Sequence, residues 1–249
     1  MKAPPRSAFD AAPEGASSLG EVRSLPPSLS IVMPVLNESS GIEATLRELA
    51  SLRPRGAEVI VCDGGSHDDT AALAQPLADR VLCVPPGRAR QMNAGAAVAR
   101  APVLLFLHAD TSLPEGADRL VLQAMAAGAS WGRFDVRIAG RPFMLRVVAV
   151  LMNLRSRWSG IATGDQAIFM TRALFAQAGG FPDQPLMEDV EICRRLRRIA
   201  PPACLRARVT TSGRRWETRG VWRTIFLMWR LRWQYWRGAP ADALARAYR

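Results

Sequence analysis

Glu188 and Asp189 stand side by side in "PLMEDVEICRRL", where a loop runs into an Arg-rich helical pattern. Adjacent carboxylates there can face the positive end of a helix dipole. One of them can also take a proton from a nucleophile while the other orients it. Other residues with chemical potential come earlier. Asp63 ends an apolar run and is followed by "GGSHDDT", whose glycines let backbone approach a ligand closely. Its carboxylate can accept from a nucleobase N–H or ribose hydroxyls, or cap the next helix, a task for which Asp68 is better placed. "LHADT" sets Asp110 at the exit of another apolar run, where a carboxylate can ligate Mg2+ or Mn2+ that bridge diphosphate oxygens. His108 points to the same side of an extended chain and can reach the metal or the ribose, or be satisfied at a sheet edge. "GRARQMNAG" puts Arg88 and Arg90 at a helix start, where anions are favoured; a solvated basic face is the alternative.

The elements that must hold these residues alternate. "LSIVMPVL", "AEVIVCDGG", "RVLCV" and "PVLLFLHAD" are short apolar runs that predict strands. Between them "GIEATLRELASL", "DDTAALAQPLA" and "RARQMNAGAAVAR" predict helices, the first with Ile42, Leu46, Leu49 and Leu52 at helical spacing. This order implies an α/β fold with a parallel sheet covered on both faces, which binds ligands at the carboxyl ends of its strands. Asn37 with Glu38, Asp63, Arg88 and Asp110 all fall on that edge. Further on, "WGRFDVRI" alternates like a half-exposed strand and "PFMLRVVAVLMNLRSRW" reads as an amphipathic helix. "GDQAIFMTR" reads as a buried strand entered through a polar loop, with Gly164, Asp165 and Gln166 as an acceptor contact or a tight strand entry.

Composition narrows the classes. The chain has 249 residues, 49% apolar, enough for one α/β domain. The net charge is +11, almost all from Arg, since Lys occurs only at Lys2. That excess must meet something anionic, whether nucleic acid, lipid headgroups or a phosphorylated substrate. Four cysteines without a C-x-x-C pair and two histidines speak against a disulfide frame, a zinc centre or a His-rich metal site. Residues 1–27 are rich in Pro, Ala, Ser and Gly and are expected to form a disordered leader, not a signal peptide. No window holds the ~18–20 consecutive apolar residues of a membrane span.

In order and spacing, "IVMPVLNE", "VIVCDGGSHDDT", "GRARQMNAG", "LLFLHADT" and "MEDVEICRRL" resemble family 2 glycosyltransferases of the GT-A fold. "WGRFDVRI" with "GIATGDQAIF" resembles, more narrowly, the bacterial branch of radical-SAM/selenodomain-associated transferases linked to arsenosugar biosynthesis. The resemblance covers Leu29 to the C-terminus. It implies inverting transfer of a sugar from a nucleotide-sugar donor, UDP-linked, to a small-molecule or lipid acceptor. By it, Pro34, Asn37, Glu38, Asp63, Gly64, Arg88, His108 and Asp110 would hold the donor. Asp110 would bind Mg2+ or Mn2+ and Asp189 would be the general base beside Glu188. Asp165, Gln166 and Trp216 would touch the acceptor. Family members often carry Asp where this chain has His108, which leaves Asp110 as the one sure carboxylate of the metal site. "TSGRRWE" departs from the Gln-x-x-Arg-Trp segment of polymerising relatives, which favours single transfer.

The expected organisation is a GT-A domain over residues 28–213, its central sheet mostly parallel and flanked by helices, and a basic amphipathic helical extension over 214–249. In the extension Trp222, Trp229 and Trp236 recur every seven residues, and so do Arg223, Arg230 and Arg237. Trp beside Arg on a helix suits an anionic membrane surface; packing on a protein is the bland alternative. A cytoplasmic protein, with peripheral contact at the inner face of the membrane and no specific nucleic-acid partner, is the resulting expectation. A nucleotidyltransferase would show a basic residue in the loop after the first strand, and "PVLNESSG" has none. A polyanion-binding protein would leave the ordered acidic strand ends without a purpose.

Overall fold

A computed structural model describes residues 26–248, so all but the end of the expected leader lies outside the described residues. Strand β1 (Leu29–Val35), helix α1 (Ile42–Ala50), β2 (Ala57–Asp63), α2 (Thr70–Ala74), β3 (Arg80–Cys83), α3 (Arg88–Val98) and β4 (Val103–Phe106) form the alternating half. β1 and β2 are buried at every residue because both faces of each lie under helices. Ile42, Leu46 and Leu49 face inward from α1. β3 lies at one end of the sheet, and none of its residues is fully buried.

The second half adds β5 (Thr111–Ser112), α4 (Ala117–Ala126), β6 (Trp131–Ala139), α5 (Met144–Ser159), β7 (Phe169–Thr171), α6 (Arg172–Gln177), α7 (Glu188–Leu196) and β8 (Ala203–Ser212). Three helices follow: α8 (Arg214–Arg219), α9 (Val221–Trp236) and α10 (Ala241–Tyr248). The strands join in one eight-stranded sheet of order β3-β2-β1-β4-β7-β6-β8-β5. The pairs among β1 to β4 are parallel, as expected, and β6 pairs β8 in parallel. β7 runs antiparallel to both β4 and β6, and β5 is antiparallel to β8. The sheet is therefore mixed, with parallel pairs in the majority.

Two local expectations change. β6 is not half-exposed but buried along most of its length, since it lies between β7 and β8 and under α5. Two of its polar residues are paired inside: Arg133 donates to Asp135, and Arg157 of α5 donates to the same carboxylate at 2.6 Å. The polar entry before β7 is a one-turn 3₁₀ helix, Gly164–Gln166. The C-terminal segment is also broken, by Gly220 at φ 81° between α8 and α9. The buried thiols of Cys62 and Cys193 are pushed up to about 12 by burial, which makes them inert core groups.

Candidate active site

The loops after β1, β4, β8 and the 3₁₀ turn, together with the start of α7 and helices α8 to α10, enclose a cleft of about 530 Å³. That is within the range of small-molecule sites. Ten of the sequence-predicted residues line it: Pro34, Glu38, Arg88, His108, Asp110, Gly164, Asp165, Glu188, Asp189 and Trp216.

At one side α7 begins on Met187, whose φ of 66° turns the chain so that Glu188 and Asp189 enter the first helical turn. Glu188 is buried and accepts from Arg88 at 3.3 Å. Asp189 accepts from its neighbour Val190 N–H at 2.7 Å and from Gly164 N–H at 2.9 Å. It therefore serves the helix end and the cleft at once. Burial, and then the negative charge of Glu188, push its carboxyl up to about 6, against the pull of the Gly164 amide and of Arg88. A carboxylate in that range is a stronger base than an ordinary Asp.

The 3₁₀ turn joins this side to β4. His108 Nδ1 lies 3.3 Å from Asp165 Oδ1. Burial acts to raise the Asp165 carboxyl. The His108 hydrogen bond and the charges of His108, Arg88 and Arg215 outweigh it, so Asp165 stays below its ordinary range. Gly164 is required here, because a Cβ at that position would lie 2.2 Å from His108 Nε2.

Asp110 is exposed in the cleft, and among the described residues its carboxylate has only a long contact, 3.5 Å, from the Thr111 hydroxyl. Among the described residues no group of three His, Cys, Asp or Glu side chains is arranged as a metal cage. One free carboxylate still fits Mg2+ or Mn2+, since such ions take most of their ligands from substrate phosphates and water. Glu38 lies within reach of the Asp110 charge. Burial raises its carboxyl, Arg214 at 3.9 Å opposes the rise, and Asp110 and Asp68 add to it.

Four predicted residues lie outside the cleft lining. Asp63 is buried and folds back on its own turn, accepting from Gly65 N–H at 3.1 Å, Ser66 N–H at 3.0 Å and the Ser66 hydroxyl. Gly64 makes room for Gln91, whose amide donates to Val35 and Cys62 carbonyls at 2.7 Å. Asn37 stitches the β1 loop to the β2 loop through Ser66 and His67, each at 2.9 Å. Gln166 is fully buried, and its amide donates to the Ser156 hydroxyl at 3.1 Å. Arg90 is also away from the cleft, paired with Asp183 at 2.9 Å.

Sequence reasoning missed one wall. Arg214, Arg215 and Arg219 of α8 and Arg232 of α9 all line the cleft. Arg215 stacks over the Tyr248 ring at 4.2 Å. Burial and the nearby charges of Arg219 and Arg88 hold its guanidinium below the ordinary range, a sign of crowded positive charge beside a cavity. The only sequence signal was the doubled Arg in "SGRRW". The arrangement pairs acids at the strand ends with a cationic wall, the polarity that a diphosphate bridged to a cation would match.

The Glycosyl transferase family 2 model matches residues 30–175, well over half of the chain. The chain belongs to glycosyl transferase family 2. A relative named "Probable glycosyltransferase YdaM" from Bacillus subtilis is 27% identical over 238 residues, 85% of this chain but 55% of its own length. A PGL/p-HBAD biosynthesis glycosyltransferase of Mycobacterium bovis is 31% identical over 173 residues, 62% of this chain and 63% of its own. The family 2 chain thus spans little more than half of the curated relatives it matches. S. aureus TarS with bound UDP superposes with a TM-score of 0.61 at 17% identity, over 74% of this chain and 60% of that one. Glucosyl-3-phosphoglycerate synthase of Mycobacterium tuberculosis, solved with Mn2+, UDP and glucosyl-3-phosphoglycerate, gives 0.55 at 22% identity, over 74% and 71%. At these identities the likeness establishes the fold: a GT-A-type α/β sheet flanked by helices.

Proposed function

We propose that this family 2 chain transfers a sugar from a UDP-linked donor to an acceptor hydroxyl, with inversion, at the cleft between Asp110 and Asp189. The observation that carries the reading is the contrast between these two carboxylates in one cleft. Asp189 is raised by burial and by Glu188, and Asp110 is exposed and nearly free of partners. The first suits a base and the second a cation ligand.

In this reading the acceptor oxygen forms a bond to the anomeric carbon while the bond from that carbon to the diphosphate breaks. Asp189 takes the acceptor proton, and the electron pair leaves with the diphosphate. Gly164 N–H and Arg88 keep Asp189 oriented and partly offset its charge before the transfer. Arg88 is itself fixed by Glu188. Mg2+ or Mn2+ on Asp110, when bound, neutralises charge growing on the leaving group. Arg214, Arg215 and Arg219 are placed to assist the same task. Pro34, Glu38 and His108 border the donor end; Asp165 and Trp216 border the acceptor end. Asp63, Gly64 and Asn37 belong to the donor side in this reading and also hold the loops they stand on, and Gln166 supports the turn that carries Asp165. The complex of UDP and Mn2+ named for the M. tuberculosis synthase supports this donor and ion. Membership of the radical-SAM/selenodomain-associated branch belongs to the same proposal and rests on "WGRFDVRI" and "GIATGDQAIF".

Calorimetric titration with UDP, with and without Mn2+, tests the donor site on wild type and Asp110→Ala. Metal-dependent binding that the substitution removes is the expected result. Equal binding by both proteins, or none in either condition, sinks the proposed site.

A further inference from the structure

Ten of the twelve exposed large apolar side chains among the described residues belong to α5 and α9 and the residue preceding α5. Scattered exposed apolar residues need no explanation, but this concentration does. On α9 they are Trp222, Phe226, Trp229, Trp233 and Trp236, with Trp236 82% exposed. At 3.6 residues per turn all five fall within about 80° of arc. The opposite face carries Thr224 and Leu231, which are buried, with Leu227, Met228 and Tyr235 packed around the Met187–Leu231–Leu244 cluster. On α5 the exposed set is Phe143, Val150, Leu151, Leu154 and Trp158, the last 96% exposed. These share one face as well, opposite the buried Leu145, Val148 and Ala149. The two helices share a buried cluster, in which Val221 and Ile225 of α9 pack with Ile138 of β6 and Leu145, Val148 and Ala149 of α5.

We propose that these two exposed faces form one docking surface for an anionic lipid bilayer. The cations fit. Arg223, Arg230 and Arg237 repeat along one flank of the α9 stripe, all exposed, and no carboxylate pairs with them among the described residues. Arg237 lies over the Trp233 ring at 4.8 Å, and Arg146 lies 5.9 Å from the Phe143 ring. Indole rings at the headgroup level with arginines reaching anionic phosphates are the chemistry of a helix lying in the interface. No helix among the described residues is long and apolar enough to cross a membrane, so the surface rests on the bilayer. A second copy of the chain is a poorer occupant, since a twofold contact between antiparallel α9 helices would set this arginine row against itself. Thr224, Met228, Leu231 and Arg232 of α9 line the cleft, so docking would hold that wall about one helix diameter, ~10 Å, from the lipid. The inference stands apart from the transferase reading, because its readout is binding to lipid.

The test is co-sedimentation of the full chain with vesicles of phosphatidylcholine alone and of phosphatidylcholine with phosphatidylglycerol. Tryptophan emission is followed in parallel with brominated acyl chains as quencher. Expected are binding to the anionic vesicles, a blue shift and quenching. Joint serine substitution of Trp222, Trp229 and Trp236, or of Leu151, Leu154 and Trp158, should weaken binding at least about tenfold. These side chains are exposed, and circular dichroism checks that the fold persists. Glutamine at Arg223, Arg230 and Arg237 should weaken binding to the anionic vesicles only. The idea is overturned by no binding at low salt, or by binding without quenching that the serine variants retain. A dimer in analytical ultracentrifugation that the serine substitutions dissolve would also overturn it.

Discussion

The backbone N–H of Gly164 donates to the carboxylate of Asp189 over 2.9 Å, and the next residue, Asp165, meets His108 at 3.3 Å. One turn thus joins the start of α7 to the exit of β4. The first consequence concerns Asp189 itself. Asp189→Asn keeps an oxygen that can accept from Gly164 but cannot take a proton. Turnover should fall by ~10²–10⁴-fold while UDP binding stays near wild type. Steady-state kinetics and calorimetry check this together. Loss of UDP affinity in equal proportion would assign Asp189 to donor binding.

Acidity provides a second prediction. Asp189 must be ionised to act as a base, and its carboxyl sits at about 6, so kcat should fall as pH drops through that value. Glu188→Gln removes a like charge and leaves Arg88 beside Asp189, so the acid limb should move to lower pH. Stability has the opposite sign. The folded carboxyl lies above its ordinary 3.8, so folding penalises the ionised form, and the penalty develops as pH rises from about 3.8 to 6. Asp189→Asn should therefore gain in Tm over wild type above that window and match it below. A pH–rate profile with no acid limb near 6 contradicts the assignment.

How far the sequence led can be judged from single residues. Glu38, Asp110, Glu188 and Asp189 were legible because strand ends and a helix start fix where such side chains emerge. The parallel half was legible because β1, β2 and β4 are continuous apolar runs. The hydrogen bonds by which Asp63, Asn37 and Gln166 close turns or reach other loops were not legible, since a sequence pattern does not show partners. Asn37, for example, bonds to His67. β6 showed alternation because its polar residues pair inside the fold, and a pattern of residue types does not reveal pairing. The arginine wall was hidden for another reason. Arg214, Arg215, Arg219 and Arg232 reach the cleft only through tertiary docking of α8 and α9, and a basic helix read alone is equally a solvated face.

Asp110 supplies a third prediction. In the proposed reading its exposed carboxylate holds the cation, so Asp110→Asn should lower kcat at least ~10²-fold at fixed Mn2+. It should also remove the metal dependence of UDP binding. Arg215→Gln should instead weaken UDP binding with and without metal, since its charge acts directly on the anion. Identical metal dependence in wild type and Asp110→Asn would place the ion elsewhere.

The last prediction separates support from contact at the 3₁₀ turn. Gln166 is fully buried, with its amide donating to Ser156 at 3.1 Å and its side-chain oxygen accepting from Thr163 N–H at 3.3 Å. Gln166→Ala leaves buried polar groups without partners, which costs about 1–3 kcal/mol of stability. Gly164→Ala instead drives a Cβ into the His108 ring. Overpacking of this kind costs about 1–3 kcal/mol and must displace either the ring or the amide that holds Asp189. The two variants should therefore differ in kinetics at similar cost in stability. Below its melting range, Gln166→Ala should keep kcat and acceptor KM closer to wild type than Gly164→Ala does, because its side chain meets the cleft lining only through the Thr163 N–H it accepts from. Gly164→Ala should lose kcat even where fully folded. Denaturant titration with kinetics on the same preparations decides between them. A large rise in acceptor KM for Gln166→Ala would place that side chain against the acceptor after all.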